Sequence, residues 1–69
     1  MDESPELRLL FHRLNNQLGI ILAHAELLEA KAPDDMHRAR AAQVVSGALE
    51  AMSTVKEIRR LTATAESQQ

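Results

Sequence analysis

The sequence contains no cysteine, tryptophan or tyrosine, one phenylalanine, two glycines and two prolines among its 69 residues. The lack of cysteine excludes a disulfide scaffold, a thiolate metal site and a cysteine nucleophile. The net charge of −2 argues against nucleic-acid binding, because a nucleic-acid-binding protein usually carries a basic stripe. A chain this short forms one domain at most.

Long apolar runs are also missing. The longest extends from Leu18 to Ala23, far short of the roughly 20 residues that a membrane-spanning helix needs. The sequence starts with acidic residues, whereas a secretory signal starts with basic ones. We therefore expect a cytoplasmic protein with no membrane partner. A core this small rarely supplies more than a few kcal/mol of stability, so oligomerisation is the first expectation.

The start and stop signals in the sequence define two helices and one turn. Ser4 followed by Pro5 is typical of a helix N-terminus, and nothing stops the helix before about Lys31. Pro33 disfavours helical geometry in the residue before it, and Asp34 is suited to cap a second helix. The sequence thus predicts an all-α domain over residues 1–69, with helix 1 at about 5–31, a turn at 32–34 and helix 2 at about 35–64.

Each predicted helix carries an apolar stripe with heptad spacing, which is typical of helices that pack along their length. The stripe of helix 1 comprises Leu7, Phe11, Leu14, Leu18, Ile21, Ala25 and Leu28. The smaller stripe of helix 2 comprises Ala41, Val45, Ala48, Met52 and Val55.

A short turn makes the two helices antiparallel neighbours. Because their stripes are wider than one hairpin can cover, we expect two hairpins to form a homodimeric four-helix bundle. Antiparallel packing also places the acidic start of helix 1 beside the basic end of helix 2. The residues expected to face each other are Asp2, Glu3 and Glu6 on one side and Lys56, Arg59 and Arg60 on the other.

One histidine lies away from the stripe. At 100° per residue, His12 falls about 160° around helix 1 from Leu14 and should face water. The same strip continues through Asn16, Gly19 and Ala23, and beside it lie Leu9, Ile20 and Leu27. Gly19 costs a helix about 1 kcal/mol relative to alanine, which indicates the close approach of another surface. Exposed apolar residues beside this histidine predict a docking surface; the alternative is a plain surface histidine whose apolar neighbours another helix covers.

The string from Phe11 to Leu18, FHRLNNQL, resembles the phosphoacceptor motif of the dimerisation domain of two-component sensor histidine kinases. Residues 19–28, GIILAHAELL, also resemble helix 1 of that family. The resemblance implies a homodimeric four-helix bundle in which His12 is phosphorylated. It implies that His12 exchanges its phosphoryl group with an aspartate of a response-regulator receiver domain. Asn16 would contact nucleotide or orient water, and the receiver would dock on Leu9, Gly19, Ile20 and Ala23.

Two features depart from the family pattern. In the main family an acidic residue follows the histidine and acts as the base for autophosphorylation, whereas here Arg13 follows it. A related kinase branch has His-Arg at this point, with asparagine four residues after the histidine. Arg13 is then a candidate contact for the phosphoryl group, or else a solvated surface arginine. These 69 residues also lack a Gly-rich phosphate loop, so an ATP-binding kinase domain would lie outside them, either in the rest of a kinase or in a separate partner.

Four interpretations of the chain remain open. It is a piece of a histidine kinase, a stand-alone protein similar to the bundle-type phosphotransferases of bacterial phosphorelays, a non-catalytic dimerisation or adaptor module, or a plain coiled-coil dimer with no relation to signalling. Whether the chain acts as an enzyme is undecided. His24 and His37 have no histidine or cysteine at metal-pair spacing, so we expect no metal site. We expect no cofactor in this chain, since any Mg²⁺ would belong to the receiver domain.

Overall fold

The structure, a computed structural model, describes the backbone of residues 4–67 and the side chains of residues 4–62. It is a helical hairpin of α1 (Pro5–Ala30) and α2 (Asp35–Ser67), with no strand among the described residues. The predicted all-helical hairpin is therefore confirmed. α2 continues past the predicted end near residue 64, because residues 65–67 contain neither glycine nor proline to stop it.

A cap at the N-terminus explains where α1 begins, and the last α-helical backbone hydrogen bond marks where it ends. Ser4 has extended backbone geometry, and its Oγ accepts a hydrogen bond from the N–H of Leu7 at 3.0 Å. Pro5 occupies the first helical position, where a missing N–H costs nothing. At the other end the N–H of Lys31 donates to the carbonyl of Leu27 at 3.1 Å.

Asp34 begins α2 by capping it. Its Oδ1 accepts a hydrogen bond from the N–H of His37 at 2.8 Å, and Nδ1 of His37 lies 2.8 and 2.9 Å from the two carboxylate oxygens. The backbone N–H of His37, and then its ring, lower the pKa of the Asp34 carboxyl. The next residue, Asp35, pairs with Arg38 at 3.2 Å. Local sequence therefore fixes the register at which the chain reverses.

Small side chains dominate the contact between the two helices. The buried residues of the described part are Phe11, Ala25, Ala41, Ala48 and Val55. Alanine at three of these positions lets the two backbones approach closely, and it leaves little apolar volume inside the hairpin. Most of the larger apolar side chains therefore remain outside this contact.

The apolar stripe of α1 divides between two surfaces. Phe11 and Ala25 are buried against α2, whereas Leu14, Ile21 and Leu28 are 40%, 47% and 66% exposed. The exposed half has a counterpart on α2. We call the combined surface the apolar face; it comprises Leu10, Leu14, Ile21 and Leu28 of α1 and Val44, Gly47, Ala51, Ile58 and Leu61 of α2.

The two halves of the apolar face lie on the same side of the hairpin. The face residues lie on average about 65° around α1, and about 85° around α2, from the buried residues of the same helix, in the same rotational sense. Because the helices are antiparallel, rotations of the same sense bring both sets of residues to one side. Leu28 and Val44 accordingly line a common hollow of about 310 Å³ near the turn.

The hairpin is a single layer of helices. Its Cα atoms extend over 54 × 17 × 10 Å. Neither described helix combines the length and the apolar character needed to cross a membrane. A Cβ built on Gly19 would meet no atom within 4 Å, so α2 does not make the close approach to Gly19 that the sequence indicates.

Candidate functional site

His12 lies on the side of α1 opposite the apolar face. It is exposed, and nine residues separate it from Ile21, which corresponds to a rotation of about 180°. The His12 ring makes no hydrogen bond or ion pair with the described residues. Burial of the apolar face would therefore leave the histidine accessible to a second protein.

A shallow hollow of about 410 Å³ surrounds the histidine. We call it the His12 hollow; it is lined by Pro5, Arg8, Leu9, His12 and Arg59. Four of these residues come from the first turns of α1, and Arg59 comes from α2. The described lining thus combines one imidazole and two guanidinium groups with an apolar rim.

Arg59 reaches the His12 hollow by crossing the side chain that precedes the histidine. Its guanidinium carbon lies 5.7 Å from the centre of the Phe11 ring, within the range of a cation–π contact. Phe11 is itself buried against α2. The packing of the two helices therefore holds Arg59 beside α1.

The expected cross-hairpin charge pairs lie only partly within the described structure. Asp2 and Glu3 lie outside the described residues. Arg60 pairs with Glu57 of its own helix, and Arg59 stands over Phe11. Among the described contacts, Arg60 is thus held within α2, and Arg59 contacts the ring of Phe11 in α1.

The structure brings the predicted docking residues together with the histidine. Asn16, Gly19 and Ala23 lie within about 40° of His12 around α1, and Leu9 and Ile20 lie within about 80°. Leu9 and Ile20 are 58% and 59% exposed. We call this surface the histidine face; it comprises Leu9, His12, Asn16, Gly19, Ile20 and Ala23.

Arg13 is directed elsewhere. It lies about 100° around the helix from His12 and lines a different hollow, whose other lining residues are Leu10, Leu14 and Gln17. Two of these belong to the apolar face. Arg13 therefore lies between the histidine face and the apolar face rather than in the His12 hollow.

The sequence analysis did not select the two arginines of the His12 hollow. Arg8 precedes His12 by four residues, and this one-turn spacing would have been enough to find it. Antiparallel packing did predict that Arg59 lies beside the start of helix 1, but its position next to His12 depends on the register of the two helices.

The other histidines have different surroundings. His37 belongs to the cap of α2 through Asp34, and His24 is exposed farther along α1. No group of three or more histidine, aspartate or glutamate side chains able to hold a metal ion occurs in the described part of the chain.

The chain matches no known protein-family model, no curated protein and no solved structure. The features that bear on its function are therefore those of the hairpin itself. Chief among them are an exposed histidine in a shallow hollow on one side and an uncovered apolar face on the other.

Proposed function

We propose that this hairpin is a histidine phosphoacceptor domain of two-component signalling, in which His12 exchanges a phosphoryl group with an aspartate of a receiver domain. The observation that carries the proposal is the position of His12, exposed and about 180° around α1 from the apolar face. The sequence around His12 resembles the family's phosphoacceptor motif, and this resemblance also makes His12 the phosphorylated residue.

The chemistry requires an accessible ring nitrogen. A neutral imidazole nitrogen attacks the phosphorus of an aspartyl phosphate, a nitrogen–phosphorus bond forms, and the phosphorus–oxygen bond to aspartate breaks. The carboxylate leaves, and the proton on the other ring nitrogen passes to water. Because the His12 ring is exposed and makes no hydrogen bond with the described residues, a partner can approach it in line.

A second copy of the hairpin is the occupant that we propose for the apolar face. The chain exposes 5425 Å² of surface, whereas a compact monomer of its mass would expose about 4,300 Å². The excess exceeds the roughly 800 Å² that each partner buries in a standard interface. Two apolar faces packed together form a four-helix bundle and keep both copies of His12 outside.

The histidine face is the proposed receiver-docking surface. Leu9 and Ile20 supply exposed apolar contacts beside His12. The small residues Gly19 and Ala23 leave the neighbouring surface free of bulky side chains. Asn16, one turn after His12 on the same face, is placed to orient a water molecule or a partner group. The Mg²⁺ required for phosphoryl transfer would come with the receiver domain.

Labelling with two different donors tests this proposal. The protein is incubated with a phosphorylated receiver domain and, separately, with an excised kinase ATP-binding domain plus ATP and Mg²⁺. Intact mass and peptide mapping then locate an acid-labile phosphate. We expect the label on His12, its loss in His12→Gln, and its retention in the control His24→Gln, with the helical circular-dichroism spectrum unchanged in both variants.

Each outcome has a distinct meaning. Label from the receiver supports a phosphorelay transferase, and label only from the ATP-binding domain supports a kinase piece. If no donor labels a folded chain and receiver binding survives in His12→Gln, the proposal is wrong and the hairpin is a non-catalytic adaptor. The arginine at position 13, in place of the family's acidic base, is the observation that favours this second candidate.

A further inference from the structure

Two opposite charges flank the apolar face on its outer edges. Arg13 lies about 75° around α1 from the apolar face, on the side away from α2, and Glu50 lies about 75° around α2 from it, on the side away from α1. Both residues are exposed, and neither side chain makes a hydrogen bond or ion pair with the described residues. The two charges are therefore accessible to a partner that covers the apolar face.

A second copy of the hairpin can cover the apolar face in two ways. Most homodimers have a two-fold axis, and between two such faces the axis runs either along the helices or across them. In the first arrangement α1 packs against α2 of the second copy, and both turns lie at the same end. In the second arrangement each helix packs against its own equivalent, and the turns lie at opposite ends.

The first arrangement brings Arg13 and Glu50 together. An axis along the helices keeps each residue of the second copy at the height that it has in the first. The turn lies between residues 30 and 35, so Arg13 is within about 5 Å of Glu50 in height along the axis. The outer edge of α1 then meets the outer edge of the second copy's α2, and the pair forms twice. The second arrangement instead can pair Lys31 with Glu6 near the ends of the bundle, so charge alone does not decide.

The sizes of the apolar residues decide for the first arrangement. The middle of the apolar face carries Leu14 and Ile21 on α1 but Gly47 and Ala51 on α2. We call Gly47 and Ala51 the notch; a Cβ built on Gly47 would meet no atom within 4 Å, so the hairpin itself leaves the notch open. In the first arrangement the large side chains lie over the notch of the second copy. The second arrangement sets large residues against large ones and leaves the two notches facing each other across a gap, which loses contacts.

We propose that Arg13 is a dimerisation residue that pairs with Glu50 of a second copy of this chain. Beside this pair, Leu14 and Ile21 pack into the second copy's notch. The inference rests on the second copy proposed above as the occupant of the apolar face, and it does not depend on phosphoryl transfer. It assigns Arg13 to assembly of the bundle rather than to the phosphoryl group, and it places both turns at one end of the dimer.

Charge reversal tests the ion pair. Arg13→Glu and Glu50→Arg each bring like charges together twice in the dimer, so each should raise the dissociation constant about tenfold. The double variant restores opposite charges and should return the dissociation constant to within about twofold of the original value. Sedimentation equilibrium at low ionic strength measures these changes. The matched controls are Arg8→Glu and Glu26→Arg, which alter exposed residues on the opposite side of α1 and should leave the dissociation constant unchanged.

Gly47 gives a test in which the two arrangements predict opposite signs. In the first arrangement Gly47→Leu fills the notch, displaces Ile21 of the second copy and should raise the dissociation constant by about tenfold or more. In the second arrangement the new side chain would fill a gap and lower the dissociation constant. Gly19→Leu is the matched control, because a Cβ on Gly19 would also meet no atom within 4 Å but Gly19 lies on the histidine face. Circular dichroism should show a helical chain in both variants.

The same variants separate this inference from the proposed function. Weakening by both single reversals, rescue in the double variant and weakening by Gly47→Leu support the inference. If the chain is a dimer that the double variant does not restore, or that Gly47→Leu tightens, the inference is wrong, and the proposed role of His12 stands. An unaltered chain that is monomeric at every concentration overturns the inference together with the bundle, and labelling of His12 then tests phosphotransfer independently.

Discussion

The three histidines show how surroundings differentiate one residue type. His37 is engaged by a carboxylate at a helix cap, His24 is exposed along the shaft of α1, and His12 lines a hollow with two arginines. Among the three histidines, His12 is the one that is exposed and also lines a hollow to which both helices contribute. The chemical proposals therefore rest on this residue and not on histidine content.

The cap of α2 gives a pH-dependent prediction. The hydrogen bonds from His37 lower the pKa of Asp34 in the folded chain, so the ionised carboxylate stabilises the fold above its ordinary pKa. This contribution is lost as pH falls through the lowered value. We expect Asp34→Asn to lower the melting temperature at pH 7, and we expect the difference from the unaltered chain to vanish in strong acid.

Thermal melts followed by circular dichroism at a series of pH values measure this effect. Asp35→Asn is the matched control, because Asp35 pairs with Arg38 through an exposed side-chain contact and does not cap the helix. A destabilisation by Asp34→Asn that persisted unchanged in strong acid would contradict the stabilising role of the Asp34 charge.

Gly19 gives a second prediction at the residue scale. It lies inside α1, and an added Cβ would meet no atom within 4 Å. Gly19→Ala should therefore raise the free energy of unfolding by about 1 kcal/mol, the helix-propensity difference. If the histidine face docks a receiver, the same change should slow transfer from the receiver and leave labelling by the small-molecule donor phosphoramidate unchanged. A loss of stability would show that another part of the assembled protein packs against Gly19.

At the scale of the helices, the cap and turn signals in the sequence predicted most of the fold. Ser4 and Pro5 start α1, and Asp34 starts α2, because capping depends on residues within one turn of each other. Arg59 could not be placed beside His12 in this way. Its position follows from the register of two helices, which is set by the packing of Phe11, Ala48 and other buried side chains.

The division of the α1 stripe had a similar origin. Seven positions with heptad spacing predict a helix that is apolar on one side, and they do so without regard to which neighbour covers each position. The structure buries Phe11 and Ala25 against α2 and leaves Leu14 and Ile21 outside. The split follows from the direction in which α2 approaches, and the sequence of α1 alone does not contain that direction.

The close approach of the helices predicts a steric effect. Ala25 is 2% exposed and lies where α1 meets α2, so Ala25→Leu should lower the free energy of unfolding by about 1–3 kcal/mol through overpacking. Chemical denaturation measures the change. Ala23→Leu is the control, since Ala23 is exposed two residues away and should change stability little. Equal effects of the two substitutions would contradict the described register.

At the scale of the whole molecule, the apolar face predicts self-association. Ile21→Lys or Ile58→Lys should convert a dimer to a monomer, because each puts a charge in the middle of the apolar face. Ile20→Lys is the matched control, since Ile20 is more exposed than Ile21, at 59% against 47%, and lies on the histidine face. Sedimentation equilibrium gives the mass of each variant. A dimer that survives Ile21→Lys and Ile58→Lys, or an unaltered chain that is monomeric, would contradict the proposed bundle.

The antiparallel course of the two helices makes the two ends of the molecule chemically different, with His12 near one end and the turn at the other. His12 lies in the second turn of α1, so the turn between the helices is far from the hollow. Ala30, exposed at the end of α1, is about 27 Å from His12 along the helix axis at 1.5 Å per residue. Since the sequence has no cysteine, Ala30→Cys would provide a unique handle for a dye or a solid support. Such a handle would leave the end that carries His12 open to solution, whereas a label near residue 4 or residue 62 would lie at that same end.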